Sequence, residues 1–199
     1  MNDTSLVDKA INYAVLHHKN VFRKGKNVPY IIHPLEAMSI VASITFDHEL
    51  MAAAALHDLI EDTDVTYDDL KNEFGKRIAD IVAAESINLI PNYENLSWKE
   101  AKALAIENLK KESIDVKIVA LADKLSNMRA INNDYRINGE DFWNRFKIKD
   151  KDIHRWRYNA LLECFSGLED TRAYKEFYYL VKDTFKWGRK YGKNKERII

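Results

Sequence analysis

The residues best suited to chemistry lie in the run Ala55-Leu56-His57-Asp58-Leu59-Ile60-Glu61-Asp62-Thr63-Asp64. Read as one helix, His57 and Glu61 are four apart, and so are Asp58 and Asp62, so the four side chains share one stripe of surface. One imidazole and three carboxylates on a stripe repel one another at neutral pH. Water, basic neighbours or a divalent cation can each relieve that repulsion, and an ordinary acidic helix end emerging into solvent has the same pattern. The apolar run Met51 to Leu56 just before it predicts a largely buried helix. Burial makes bulk water a poorer remedy and a bound cation the sharper reading.

Two further segments bear on that choice. Pro29-Tyr30-Ile31-Ile32-His33-Pro34 puts a histidine at a helix entry in an apolar stretch. Taken alone, His33 reads as a hydrogen-bonded core histidine rather than a ligand. In Ile118-Val119-Ala120-Leu121-Ala122-Asp123-Lys124-Leu125-Ser126-Asn127-Met128, Asp123 shares a helix face with Val116, Val119 and Ala120. A carboxylate there needs a partner, because an unpaired buried charge is expensive. Lys124 is the nearest candidate, but it points about 100° away around the helix. Asn127 lies one turn beyond Asp123, positioned to hydrogen-bond a ligand or a substrate.

Two histidines and two aspartates make a mixed nitrogen and oxygen donor set, which suits Mn, Fe or Zn better than Mg or Ca. Four protein ligands leave an octahedral ion with positions for water and substrate oxygens, an arrangement suited to hydrolysis of a phosphate ester. Glu61 and Asp62, one turn along, could orient the water or handle its protons.

The elements that must position these residues read as helix after helix. Six glycines and three prolines in 199 residues are too few turn-formers for a sandwich or barrel of short strands, so the fold class is all-α. Helices are predicted over 4–19, from Pro34 onward, over 48–62, from the Thr66 capping box to Gly75, over 76–88, from the Ser97 capping box to about Lys111, and over 115–131, 150–167 and 170–188. The polar stretch 133–149 reads as a loop. The whole is a bundle of about eight to ten helices. A single domain over 1–199 is expected, with its core at about 4–168 and a C-terminal helix and basic tail over 169–199. That length leaves no room for a second catalytic domain.

Lys plus Arg and Asp plus Glu each number 31, so the net charge is zero and nucleic acid is not an expected partner. No apolar run reaches the ~18 residues of a membrane span, and the polar start Met1-Asn2-Asp3-Thr4-Ser5 shows no secretory signal. One cysteine, Cys164, rules out an intramolecular disulfide framework and fits a reducing compartment, so a cytoplasmic location is expected. Locally the charge is segregated. His17 to Pro29 holds four bases and no acid, Asp47 to Asp80 ten acids against three bases, and Lys186 to Ile199 six bases against one acid. Solvated helix faces explain such runs. A dense acidic segment beside a basic loop is also what a site needs to hold a metal and a phosphate ester together.

The order His33, then His57-Asp58, then Asp123 resembles the HD-domain metal-dependent phosphohydrolases. The finer resemblance is to the hydrolase domain of the RelA/SpoT-type alarmone enzymes and to the small alarmone hydrolases of the metazoan SpoT-homologue kind. It rests on Arg23-Lys24, Pro29 to Pro34, Ala54 to Thr63, Phe74-Gly75 and Leu121 to Arg129, and covers about residues 10 to 168. A lone His-Asp pair is weak evidence; these segments in this order are specific.

The resemblance implies that His33, His57, Asp58 and Asp123 bind one divalent ion, usually manganese, with iron or zinc as alternatives. It implies that Glu61 and Asp62 carry the hydrolytic step. Arg23, Lys24 and Asn127 match substrate contacts, Lys102 is a candidate for a phosphate, and Tyr158 for the nucleotide, although a packed helix face explains Tyr158 as well. The implied substrate is a guanine nucleotide carrying a 3′-pyrophosphate, cleaved to GDP or GTP. Another phosphorylated nucleotide such as NADPH, or nucleotide binding without turnover, are the competing readings. Ser126 stands where relatives often carry histidine or tyrosine, a departure expected to bear on pocket shape and not on the metal. His17, His18, His48 and His154 read as surface or packing residues. Oligomeric state is not encoded legibly.

Overall fold

A computed structural model describes residues 3–186, and all the regular structure among them is helical. Ten α-helices follow one another: α1 (Ser5–His17), α2 (Ile32–Ala42), α3 (His48–Leu56), α4 (Leu59–Asp62), α5 (Tyr67–Phe74), α6 (Lys76–Glu85), α7 (Trp98–Lys111), α8 (Ile114–Asn138), α9 (Lys151–Leu162) and α10 (Arg172–Thr184). The basic tail beyond Lys186 lies outside the described residues.

Local chemistry sets several boundaries. Thr66 and Asp69 close a reciprocal capping box on α5, and Ser97 and Glu100 close one on α7, each satisfying two backbone N–H groups that the first helical turn leaves free. Gly75, at φ +89°, turns the chain from α5 straight into α6. The Asp47 carboxylate caps α3, accepting from Glu49 N at 2.9 Å.

The core is built around α3 and α8. Ala52 to Leu56 are all fully buried, and small side chains let α1, α2, α6 and α8 approach α3 closely. Helix α8 packs against α2, α3, α6 and α10, with Val119, Ala120, Leu121, Ala122, Leu125 and Met128 fully buried. His57 and Asp123 therefore stand on or beside the most fully buried stretches of the fold.

Several boundaries differ from expectation: α6 stops at Glu85 and α9 at Leu162, short of the 88 and 167 expected, and three further differences bear on the site. Helix α2 begins at Ile32, so His33 lies inside the first turn, where Pro34 is tolerated because the backbone N–H groups there have no intrahelical partner. The helix expected over 48–62 is broken in two. Asp58 sits at φ −93°, ψ −2°, off the α-helical well, and its carboxylate accepts a hydrogen bond from Tyr30. Helix α8 runs on to Asn138 and is followed by a 3-10 helix, Gly139–Arg145, where a loop was expected. The polar residues there have distant partners: Arg136 pairs with Asp183 at 3.2 Å, and Asp134 pairs with Lys26 at 2.6 Å and Arg145 at 2.8 Å.

Candidate metal centre and active site

The break after α3 turns His57 and Asp58 inward toward α2 and α8. His57 Nε2 lies 2.9 Å from Asp58 Oδ2 and 3.7 Å from Asp123 Oδ1. His33 Nε2 lies 3.1 Å from Asp123 Oδ1 and 3.5 Å from Asp58 Oδ2. The nearest ligating atoms of His33, His57 and Asp58 all fall within 4.8 Å of one another. Three sequence segments thus deliver two imidazoles and two carboxylates to one buried spot.

The donor set fits a divalent ion on its own chemistry. His57 Nδ1 lies 2.8 Å from the carbonyl of Ala54, which can only accept, so Nδ1 carries the N–H. In the neutral ring the lone pair is on Nε2, which is fully buried without a hydrogen-bond partner and faces two carboxylates. A lone pair against carboxylates is repulsive unless a proton or a cation lies between. Burial disfavours the protonated ring, yet the charges of Asp58 and Asp123 outweigh it and hold His57 well above the ordinary imidazole range. The same opposition operates on the two acids. Burial raises them, but His57 draws Asp58 down and Lys124 draws Asp123 far below the usual carboxylate range. A metal ion takes the place of such protons.

Around this cluster the predicted residues divide. Asn127 donates to Asp123 Oδ1 and accepts from Arg23 Nη2 at 3.1 Å, linking the basic loop to the cluster. Lys24 is exposed beside Arg23. The single helix read over 48–62 is split at His57-Asp58, yet Asp62 stays one helical turn from Asp58, its N–H donating to the Asp58 carbonyl at 2.9 Å. Asp62 remains near Tyr30 and Asp58, whereas Glu61 lines a cleft of about 350 Å³. The protein around the two acids raises both above ordinary carboxylates; burial leads, with Asp58 adding repulsion.

Lys102, Lys111, Lys124 and Arg157 line the same cleft, so four cations stand beyond Glu61, with Glu85 and Glu112 among them. Burial, reinforced by Arg157, lowers Lys102 to about 8. Tyr158 does not join them. It is buried in the core, its ring stacked on Phe185 with centroids 5.7 Å apart, and its neighbour Arg157 lines the cleft instead.

Three features escaped the sequence reading. Lys124 does not point away from Asp123: its long side chain folds back onto Asp123 Oδ2 and reaches Glu85 at 3.3 Å. Tyr30 hydrogen-bonds a candidate ligand at 2.6 Å, a role its place in Pro29 to Pro34 hinted at. Ser126 is 1% exposed and lies 2.8 Å from His33 Nδ1, so it backs a candidate ligand and is not part of the pocket wall. His18 is buried against Tyr30, in keeping with a packing residue, and His154 is buried against Trp143.

The family profile described as HD domain matches residues 10–142. The chain belongs to the HD-domain family. Among its HD relatives is a guanosine-3′,5′-bis(diphosphate) 3′-pyrophosphohydrolase of Haemophilus influenzae, 38% identical over 120 residues. That alignment takes in 57% of this chain but only 17% of the relative, and the bifunctional (p)ppGpp synthase/hydrolase SpoT of Escherichia coli is likewise covered over 16%. The chain thus spans less than a fifth of the length of these two relatives. The guanosine-3′,5′-bis(diphosphate) 3′-pyrophosphohydrolase MESH1 of Drosophila melanogaster is nearer in size, 33% identical over 68% of this chain and 72% of its own. A solved structure of a metazoan ortholog of SpoT superposes with a TM-score of 0.76 over 92% of this chain and 97% of its own, at 23% identity, which shows the shared fold. A Listeria monocytogenes structure superposes at 0.67 over 79% of this chain and 96% of its own, at 31% identity.

Proposed function

We propose that this chain is a metal-dependent phosphohydrolase that removes the 3′-pyrophosphate of guanosine tetra- or pentaphosphate, releasing GDP or GTP and pyrophosphate. The observation that carries the reading is the juxtaposition of the His33, His57, Asp58 and Asp123 cluster with Glu61 and a cleft lined by Lys102, Lys124 and Arg157. The names borne by the Haemophilus and Drosophila relatives supply the substrate.

In this reading the four clustered residues hold one divalent ion, manganese by resemblance, with iron or zinc as alternatives. When bound, such an ion polarises a phosphoryl oxygen and acidifies a water. The remaining work falls to side chains. Glu61 and Asp62 orient the attacking water and take its proton; carboxylates raised above their ordinary range are better matched to that exchange near neutral pH. Arg23 and Lys24 neutralise phosphate charge from the loop before α2, and Arg23 can also stack on the base. Asn127 hydrogen-bonds the nucleotide. Lys102 and Arg157 receive phosphate oxygens in the cleft.

The chain is read as one hydrolase domain acting on a nucleotide, without nucleic acid or membrane as partner. Among the described residues no helix is long and apolar enough to cross a membrane. A cytoplasmic location fits the single, buried Cys164.

The test is a direct assay. Metal is stripped with a chelator, manganese, iron or zinc is restored, and release of pyrophosphate and orthophosphate is followed from ppGpp and from NADPH. Manganese-dependent pyrophosphate from ppGpp is expected. Orthophosphate from NADPH alone would move the reading to another phosphorylated nucleotide. Bound metal without turnover would make the protein a binding module.

A further inference from the structure

Two ligand-bearing helices each carry a second polar residue three positions on. Glu36 follows His33 on α2, and Ser126 follows Asp123 on α8. On a helix that spacing puts each on the same face as the ligand, one turn along. Across the two helices they meet: Ser126 Oγ donates to Glu36 Oε2 at 2.7 Å, and His33 Nδ1 lies 2.8 Å from the same hydroxyl.

The direction of these bonds follows from proton counting. A serine hydroxyl has one proton, and a carboxylate only accepts, so that proton goes to Glu36. What Ser126 offers His33 is then a lone pair, and His33 Nδ1 must carry the N–H. In the neutral ring the Nε2 lone pair is left on the side of Asp58 and Asp123, where a cation would take it. Ser126 and His33 are 1% and 3% exposed, so water has little access to replace the hydroxyl. Glu36 Oε1 accepts from Arg129 Nη1 at 2.9 Å, and the other nitrogens of Arg129 are held by Glu176 of α10 at 2.6 and 2.8 Å. The carboxylate is therefore itself fixed in place.

We propose that Glu36 and Ser126 form a relay that fixes His33 as an Nε2 donor and thereby sets the affinity of the site for its divalent ion. Ser126 and Glu36 are positioning residues; neither touches the ion or the substrate. The relay explains how this chain supports its first histidine with a small hydroxyl at position 126. It rests on the reading of His33 as a metal ligand.

The test titrates the metal-free chain of 199 residues with manganese alone. Ser126→Ala and Glu36→Leu should each weaken the manganese dissociation constant about 10- to 100-fold, the range found when a group supporting a metal-bound histidine is removed. In Glu36→Leu the Ser126 proton is free to turn toward Nδ1, which allows the ring N–H to shift to Nε2. Ser126→Thr keeps a hydroxyl and Glu36→Gln keeps an acceptor oxygen, so both should restore binding to within about threefold of wild type. The double variant Ser126→Ala/Glu36→Leu should bind no worse than the weaker single variant, because both remove one relay. Glu176→Gln loosens only the far side of Arg129, so it should lower the melting temperature and weaken manganese binding by clearly less than Glu36→Leu does.

Wild-type affinity in Ser126→Ala would overturn the relay. So would a loss in Glu176→Gln equal to that in Glu36→Leu, since the network would then act only through packing. Should Ser126→Ala not fold, Glu36→Leu with its Gln rescue decides by itself. If wild-type protein bound no manganese, iron or zinc, the metal reading would fail and the relay with it, a result distinct from intact binding in the wild type and every variant.

Discussion

Tyr30 Oη stands 2.6 Å from Asp58 Oδ2, so a phenol donates to the same oxygen that lies 2.9 Å from His57 Nε2 and 3.5 Å from His33 Nε2. Burial and the charge of Asp58 raise Tyr30 far above an ordinary phenol, which keeps it a neutral donor at every working pH. The bond pins the carboxylate at the break between α3 and α4. Tyr30→Phe should lower kcat/KM for ppGpp about 10- to 100-fold with the fold intact, as loss of hydrogen bonds behind a ligand does elsewhere. Steady-state kinetics beside a circular dichroism melt would check it; unchanged kinetics would remove Tyr30 from the site.

Asp58 and Glu61 are three residues apart but should fail differently. Asp58 belongs to the cluster around both imidazoles, whereas Glu61 lines the cleft. Asp58→Ala should lose metal content and activity together. Glu61→Gln should keep much of the metal and lose about 10²- to 10⁴-fold in kcat, the span assigned to a positioned proton-transfer group. Metal analysis by mass spectrometry on the same samples used for kinetics separates the two. Hydrolysis by Glu61→Gln at the wild-type rate would contradict its role.

The cleft should show itself in a pH profile. Lys102, lowered to about 8 chiefly by burial and then by Arg157, is charged below that pH and neutral above it. Only the charged form attracts phosphate, so kcat/KM for ppGpp should fall as pH rises through about 8, mostly through KM. Lys102→Arg stays charged throughout and should flatten that fall, while Lys102→Met should raise KM at every pH below 8. A profile in Lys102→Arg that matches wild type would show that another group titrates.

Lys124 joins the site to the stability of the fold. Its ammonium is shared between Asp123 and Glu85, whose side chains are 8% and 6% exposed. Lys124→Met would leave two buried carboxylates without their cation, and removing one member of a buried pair costs about 3–5 kcal/mol. Urea denaturation of metal-free protein should show a loss of that order. Manganese should recover part of it through Asp123, so the melting temperature of Lys124→Met should rise more with added metal than that of wild type. Equal denaturation midpoints would mean that water already screens the pair.

What the sequence made legible was local. The capping boxes at Thr66 and Ser97, and the glycine between α5 and α6, are written within a few residues and were read correctly. The order of His33, His57-Asp58 and Asp123 was also readable, because each short segment is distinctive. The misread features depend on partners far along the chain. Asp58 leaves the helix in company with Tyr30, 28 residues earlier. Lys124 turns back because Glu85 waits on α6. Ser126 looked like a wall of the pocket until its neighbours, His33 and Glu36, were seen to come from α2. The stretch after Asn132 looked like a loop because its polar residues had no visible partners, yet partners of Arg136 and Asp134 lie on α10 and in the basic loop.

Asp134 provides the last prediction. It is 5% exposed, and its two oxygens hold Lys26 at 2.6 Å and Arg145 at 2.8 Å. Lys26 belongs to the loop that carries Arg23 and Lys24, and Arg145 lies over the ring of Phe142 at 4.0 Å, fixed by a cation–π contact. Asp134 therefore ties the basic loop to the end of α8 through groups outside the metal cluster. Asp134→Asn keeps the shape and removes the charge, which should loosen the loop and the Arg23 to Asn127 bond at its edge. The expected result is a KM for ppGpp raised about 3- to 10-fold, the equivalent of roughly 1 kcal/mol, with kcat and manganese affinity unchanged. Lys26→Met should give the same KM and should add little to Asp134→Asn, because both act on one contact. If kcat fell while KM stayed constant, the anchor would be acting on the chemical step, and the basic loop would need a role in the transition state that simple phosphate binding does not give it.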